Sequence, residues 1–195
     1  MVGTTVAPAA TADAGRVVRT LADAFADDPV LAWLLPSGRR AGRLTAHFRA
    51  TVGGDVLGDG LSKVSPYGAV LVHPDGWRQS LLHQAGHAAS YVRAFGHRLP
   101  WAVGVQAALE RRHPREPHRY LSYIGVAAAG RGRGVGSALL AAVTAESDAA
   151  GLPTYLEASS PRNARLYRRH GFVTVDVVRP LGSPPLELMM RVVGG

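Results

Sequence analysis

Residues 119–137 read RYLSYIGVAAAGRGRGVGS. From Arg119 to Val126 the run is rich in tyrosine, leucine, isoleucine and valine, the composition of a strand. The glycines at 130, 132, 134 and 136 then impose a tight turn. From Val135 the chain continues as a mostly apolar helix to about Ala150. In a strand, glycine-rich turn and helix start of this kind, successive glycines let several N–H groups converge. The positive end of the helix dipole lies at the same place. Such a nest binds phosphate oxygens, and Arg131 and Arg133 add to its field. The same residues also make an ordinary glycine-rich turn, so the turn leaves its ligand open. A P-loop requires Gly-Lys-Ser/Thr, and no lysine stands here. A G-x-G-x-x-G fingerprint starting at Gly132 requires glycine at 137, where Ser137 stands.

Working upstream, Val17, Val18, Leu21 and Phe25 recur at helical spacing over Ala12–Ala26, with Thr11 as its cap. Asp28-Pro29 opens a short helix, Val30–Leu35, that ends at Pro36-Ser37-Gly38. A third helix is expected over Arg40–Leu57. A hairpin follows, Leu61–Ser65 and Ala69–His73, joined by Pro66-Tyr67-Gly68. Gln79–Phe95 and Trp101–Arg112 read as helices broken by Gly96 and Pro100, and His113–Pro117 as a loop. Downstream, Thr154–Ala158 is a strand and Asn163–His170 a short helix ended by Gly171. Phe172–Val178 and Leu186–Val193 are the last strands. No internal repeat or long linker interrupts the chain. We therefore expect a single domain over 1–195, with 1–11 a flexible tail and 78–113 a helical insertion.

At 195 residues, 47% hydrophobic and 18% charged, the composition is that of a globular domain with a sizeable core. No apolar run reaches the roughly 18 residues needed to span a bilayer, and Met1–Gly15 does not read as a signal peptide. The absence of cysteine excludes disulfides, thiolate metal sites and a cysteine nucleophile. A soluble cytoplasmic protein, monomeric or homodimeric, is the simplest expectation. Net charge is +8, and 21 of the 22 basic residues are arginines, Lys63 being the exception. They are scattered rather than clustered with aromatics, which argues against nucleic acid as the partner. His83 and His87 stand at i, i+4, but position 84 is Gln84 rather than glutamate and no third ligand is evident. No metal is expected.

Arg131-x-x-Gly134-x-Gly136 resembles the Q/R-x-x-G-x-G/A signature of the GNAT superfamily of acetyltransferases. About thirty residues on, Asn163-x-x-x-Tyr167 followed by His170-Gly171-Phe172 resembles that family's second signature. The two signatures stand in the family's order, separated by a helix and a strand. The resemblance implies an α/β (α+β) fold, the GNAT fold, whose central sheet is mixed, mostly antiparallel and splayed, with helices on its flanks. Within the superfamily the chain is most similar to the bacterial puromycin N-acetyltransferase group. That similarity rests on Leu156–Asn163, Leu21–Asp27 and Pro114–Pro117.

The resemblance further implies that acetyl-CoA is the acetyl donor and that an amine attacks its thioester directly. Its pyrophosphate would lie on Arg131, Gly132, Arg133, Gly134, Val135, Gly136 and Ser137. Its pantetheine arm would pair with the main chain of Ile124, Gly125 and Val126, one of whose N–H groups would polarise the thioester carbonyl. Tyr167 stands where the family keeps its general acid; its other reading is a core aromatic. Asn163 would cap its helix and reach the pantetheine arm. The central strand, Arg119–Val126, carries no carboxylate, so Glu157 on the next strand is the candidate base. A rim carboxylate paired with an arginine is its alternative. His118, Glu116 and Tyr123 are fallback bases. Asp28 caps a helix and, with Trp33, Tyr123 and Glu157, is expected to face the acceptor. Trp77 and Trp101 are further candidates to line an aromatic acceptor pocket. The function read from this is acetyl transfer to a small-molecule amine, an antibiotic or aminonucleoside-like metabolite. The alternatives are a protein or peptide N-acetyltransferase and a non-catalytic acetyl-CoA sensor.

Overall fold

A seven-stranded sheet runs through the computed structural model, which describes residues 5–52, 55–77 and 86–195. Its strands are β1 (Ala7–Pro8), β2 (Lys63–Ser65), β3 (Gly68–His73), β4 (Arg119–Val126), β5 (Thr154–Ala158), β6 (Val173–Val178) and β7 (Leu186–Arg191). They lie in the order β1-β2-β3-β4-β5-β7-β6. Only β4 and β5 run parallel; every other pairing is antiparallel. The helices are α1 (Ala14–Ala24), α2 (Pro29–Leu34), α3 (Arg40–Val52), α4 (Ala88–Phe95), α5 (Leu99–Glu110), α6 (Val135–Ala149) and α7 (Pro161–Arg168). The mixed, mostly antiparallel sheet flanked by helices is the architecture expected from the sequence.

Two cores lie on the two faces of the sheet. On one, α1, α2 and α3 bury Val17, Leu21, Leu31, Leu44 and Phe48 against β3 and β7. On the other, α6 and α7 bury Leu139, Leu140, Val143 and Ala164 against Val70, Leu121 and Met189. The alternation of strand side chains feeds both layers.

Two features of β4 shape the interior. It pairs with β5 only at Arg119↔Thr154 and Tyr120↔Tyr155; beyond these residues the two strands part and the sheet opens. Its register with β3 also shifts, Leu71 facing Tyr123 and Val72 facing Leu121, so Ser122 is the extra residue of a bulge. Ser122 Oγ lies 3.4 Å from the Leu71 carbonyl and 3.0 Å from His73 Nε2. Strict alternation would put Tyr120 and Tyr123 on opposite faces. The bulge puts both on the α1–α3 face.

Several expectations are corrected. Residues 1–11 are not uniformly a tail. Ala7 and Pro8 pair with Val64 and Lys63 as an edge strand, the place where a proline without an N–H is tolerated. The Thr11 cap is replaced by a 3-10 turn, Thr11–Asp13, whose Asp13 carboxylate accepts from the Ala10 N–H and from Arg16. The third helix is described over Arg40–Val52, 53–54 lie outside the described residues, and Asp55–Leu57 form a 3-10 turn rather than the end of that helix. Of the expected insertion, α4 and α5 are helical; 78–85, including His83 and the start expected at Gln79, lie outside the described residues.

Candidate active site

Where the sheet opens, two cavities meet. The first, of 740 Å³, lies at the glycine-rich turn. Gly132 and Gly134 sit at φ +76° and +77°, left-handed backbone that β-carbon side chains resist, and Gly134 is the N-cap of α6. The first-turn N–H groups of α6 have no acceptor within the helix and are available at this end. Arg131, Arg162, Arg165 and Arg169 line the same cavity. Arg133, expected in the cradle, does not line it; its guanidinium lies 5.6 Å from the ring centroid of Tyr67. Gly125 packs where a side chain cannot. A β-carbon there would come within 2.7 Å of Ala24 Cβ and 2.9 Å of Leu21 Cδ2, so its bareness lets α1 close against β4.

The splayed edge of β4 is polar. The Ala127 N–H donates to the Tyr67 carbonyl at 2.8 Å, on the β3 side. Alternation along the strand then turns the N–H groups of Ile124 and Val126 away from β3, toward the gap. Asp23 of α1 accepts from the Ala128 N–H at 2.7 Å and ties the turn to that helix. Asn163 lines the cavity but does not cap α7. Ser160 does, accepting from the Asn163 N–H at 3.3 Å, because Pro161 occupies the first helical position.

The second cavity, of 440 Å³, lies between the opened sheet and α2, α4 and α5. Glu157 lines it and accepts from the Tyr120 hydroxyl at 3.0 Å. Burial pushes the Glu157 carboxyl up to about 7, against the opposing pull of Tyr120. Tyr123 lies 3.1 Å from His47 Nε2. Burial draws the His47 imidazole down to about 4, so the ring is neutral at pH 7, and its Nδ1 is buried without a hydrogen-bond partner. Trp77 lines this cavity and stacks on His73 at 3.8 Å between ring centroids.

The two cavities share Phe25, Asp28, Ile124, Asn163 and Tyr167. Asp28 is 8% exposed. Its Oδ1 accepts from the N–H groups of Val30 and Leu31 at 3.0 and 2.9 Å, and its Oδ2 accepts from the Ser159 hydroxyl. Asp28 thus caps α2 and joins it to the end of β5. Tyr167 is buried on α7, and desolvation, then the Asp28 carboxylate, raises its hydroxyl well above the ordinary tyrosine value. The group therefore stays protonated, a hydrogen-bond donor, throughout the working pH range.

Tyr167, Glu157, Asp28, Tyr123 and the turn thus converge on one opening. Trp33 is set apart from it. It packs against the α1–α3 core and does not line the acceptor cavity, because the lining side chains of α2 are Val30, Leu31 and Leu34. Trp101 is 45% exposed and stands outside as well. His118 and Glu116 are also outside the cavity. His118 is buried beneath the loop, with Nδ1 2.7 Å from the Glu116 carbonyl. Tyr120, Ser159 and His47 went unread in the sequence. Tyr120 needed the pairing of β4 with β5, Ser159 needed the contact with Asp28, and nothing in the helical spacing of α3 marks His47. Among the described residues no group of three His, Cys, Asp or Glu side chains is placed to hold a metal ion. Nor does any described helix have the length and apolarity to cross a membrane.

Residues 96–174 match the model of the acetyltransferase (GNAT) domain. This stretch holds β4, the glycine-rich turn, β5 and α7, and so Tyr123, Glu157 and Tyr167, while Asp28 lies outside it. Fold and match together support an N-acetyltransferase whose residues 96–174 are similar to the GNAT acetyltransferase domain. It is 27% identical over 199 residues to an uncharacterized N-acetyltransferase of Schizosaccharomyces pombe, covering 92% of this chain and 79% of that protein. Among solved structures it is similar to histone acetyltransferase HPA2 and related acetyltransferase from Corynebacterium glutamicum. That likeness has a TM-score of 0.75 and 28% identity and covers 98% of this chain and 97% of the other. The Drosophila melanogaster polyamine N-acetyltransferase shares the fold at TM-score 0.70 and 16% identity, with 97% and 100% covered.

Proposed function

We propose that the chain transfers the acetyl group of acetyl-CoA to the amine of a small molecule, an antibiotic or aminonucleoside-like metabolite among the candidates. The observation that carries this reading is the meeting of an arginine-lined cavity with a carboxylate-bearing one at Tyr167 and Asp28. GNAT acetyltransferases use acetyl-CoA, and the first cavity suits it. The α6 N–H groups and Arg131 would hold the pyrophosphate, and the free edge of Ile124 and Val126 would meet the amide-like arm. When bound, acetyl-CoA supplies an acetyl group activated as a thioester and open to direct attack.

The remaining chemistry falls to the chain's own groups. Glu157, with its carboxyl near 7, is half ionised at neutral pH and suited to accept a proton from a bound ammonium. The Val126 N–H would donate to the developing oxyanion, a contact worth roughly 3 kcal/mol. Tyr167, held protonated, would donate to the departing sulfur. Asp28 would hold the ammonium near Tyr167. Side chains of α4 and α5, among them Phe95, Leu99 and Val105, bound the acceptor cavity, which favours a compact acceptor over a polypeptide.

Because the protein has no cysteine, a thiol-reactive reporter reads only released CoA. Amine-dependent thiol release from acetyl-CoA is the expected result. Tyr167→Phe should lower kcat by roughly a hundredfold or more while leaving acetyl-CoA affinity nearly unchanged. Acetyl-CoA binding with no release across a broad amine panel would instead make this a binding module.

A further inference from the structure

We propose, resting on the transferase reading, that the acceptor is a hydrophobic monoamine. Its single ammonium is attached to an aromatic or branched apolar body, without a carboxylate, a phosphate or a second ammonium.

The first support is the segregation of charge. The chain carries 21 arginines, and four of them, Arg131, Arg162, Arg165 and Arg169, line the first cavity. Among the described residues, no arginine or lysine lines the acceptor cavity. Its carboxylates near the meeting point are Asp28 and Glu157, and its second imidazole, His73, is stacked on Trp77 and Tyr120 with Nε2 3.0 Å from Ser122 Oγ. His47, which faces the same space, is kept neutral by burial and adds no positive charge. An acid group on the acceptor would therefore lie against carboxylates with no described arginine or lysine to answer it, whereas one ammonium is matched.

The second support is the chemistry of the walls away from the meeting point. Val30, Leu31 and Leu34 of α2 line the cavity together with Leu99, Ala102 and Val105 of α5. A second ammonium placed among these would lose its hydration without a partner. The third lining carboxylate, Glu110, is exposed, and its Oε1 accepts from Gln106 Nε2 at 3.2 Å, so water screens it.

The third support is aromatic geometry. Phe25 lies 5.6 Å from Tyr123, His47 5.7 Å from Tyr123 and 5.4 Å from Phe95 between ring centroids, all edge-on. These four rings line the cavity next to Asp28, where they can receive an aromatic ring edge to face. A cavity of 440 Å³ falls within the range that encloses small organic ligands.

The test is calorimetric binding of four matched probes, with and without CoA: phenethylamine, phenylalanine, phenylalaninamide and 1,4-diaminobutane. Phenethylamine should bind tighter than phenylalanine by about a hundredfold, with phenylalaninamide recovering most of the loss. 1,4-Diaminobutane should bind at least about tenfold more weakly than phenethylamine. A companion variant places a cation on the wall. Val92 lines the cavity from α4 and is 55% exposed, so Val92→Arg leaves the core intact. It should narrow the gap between phenethylamine and phenylalanine by about tenfold. Phenylalanine or the diamine binding as tightly as phenethylamine overturns the proposal, as does failure of phenethylamine to bind or a gap unmoved by Val92→Arg. Thiol release, read separately, keeps the two claims apart. Phenethylamine binding without acetylation sinks the transferase reading alone, while efficient acetylation of phenylalanine sinks this one alone.

Discussion

Replacing Glu157 with glutamine should make the enzyme slower and the fold more stable, and pH separates the two effects. Burial raises the folded-state carboxyl from 4.5 to about 7. Such a group binds its proton more tightly in the folded than in the unfolded chain. Its stabilising contribution is complete below the unfolded value and is lost as pH rises through about 7. The span from 4.5 to about 7 corresponds to at most roughly 3 kcal/mol. Glutamine keeps the shape and still accepts from Tyr120 but carries no charge to desolvate. Glu157→Gln should therefore gain up to roughly 6–12 °C in Tm at pH 8 relative to its effect at pH 4. In kinetics the sign reverses. As a base, the wild-type carboxylate acts only above about 7, so kcat/KM should fall about tenfold per unit below that pH. The variant should lose this acidic limb and be slower by about a hundredfold or more on the plateau. Thermal denaturation at the two pH values and a pH–rate series with one amine measure both. An acidic limb that survives unchanged in the variant would refute Glu157 as the base, and a Tm difference that does not depend on pH would refute its buried charge.

Other substitutions probe the frame around it. Arg131→Ala should weaken acetyl-CoA binding by about tenfold, whereas Arg133→Ala, whose side chain lies over Tyr67, should change it far less; equal losses would place both on the ligand. Gly125→Ala forces a methyl against Ala24 and Leu21, and should cost about 1–3 kcal/mol in denaturant unfolding while lowering acetyl-CoA affinity. Asp28→Ala removes the α2 cap and the Ser159 tie together, for about 1–2 kcal/mol in thermal stability and a rise in amine KM. A rise in KM without loss of stability would assign Asp28 to the acceptor alone.

Local chemistry made much of this protein legible in its sequence. Glycines at 132 and 134 can take positive φ, so the turn and the start of α6 were readable from residue type. Asp28-Pro29 announced the α2 cap for the same reason, since capping and proline geometry are properties of adjacent residues. Apolar periodicity placed most helices and strands, and the spacing from Arg131 to Tyr167 named the class. Where neighbours in space rather than in sequence decide, that reading stopped. Trp33 and Trp77 look alike in sequence, yet only Trp77 reaches the acceptor cavity. Arg131 and Arg133 differ by two positions, yet only one faces the first cavity. The bulge at Ser122, which sets Tyr120 and Tyr123 on one face, arises from the register of β4 against β3 and leaves no mark in either strand. The raised Glu157 carboxyl and the neutral His47 depend likewise on desolvation, which exists only once α2, α3, α4 and α5 close over the opened sheet. Residue types and their spacing thus determined the turn, the α2 cap and the class of chemistry. Tertiary structure alone decided which of 21 arginines line the first cavity and which carboxylate sits in a space that no described arginine or lysine enters. Charge in a cavity is set by what surrounds it, and that is a property of packing.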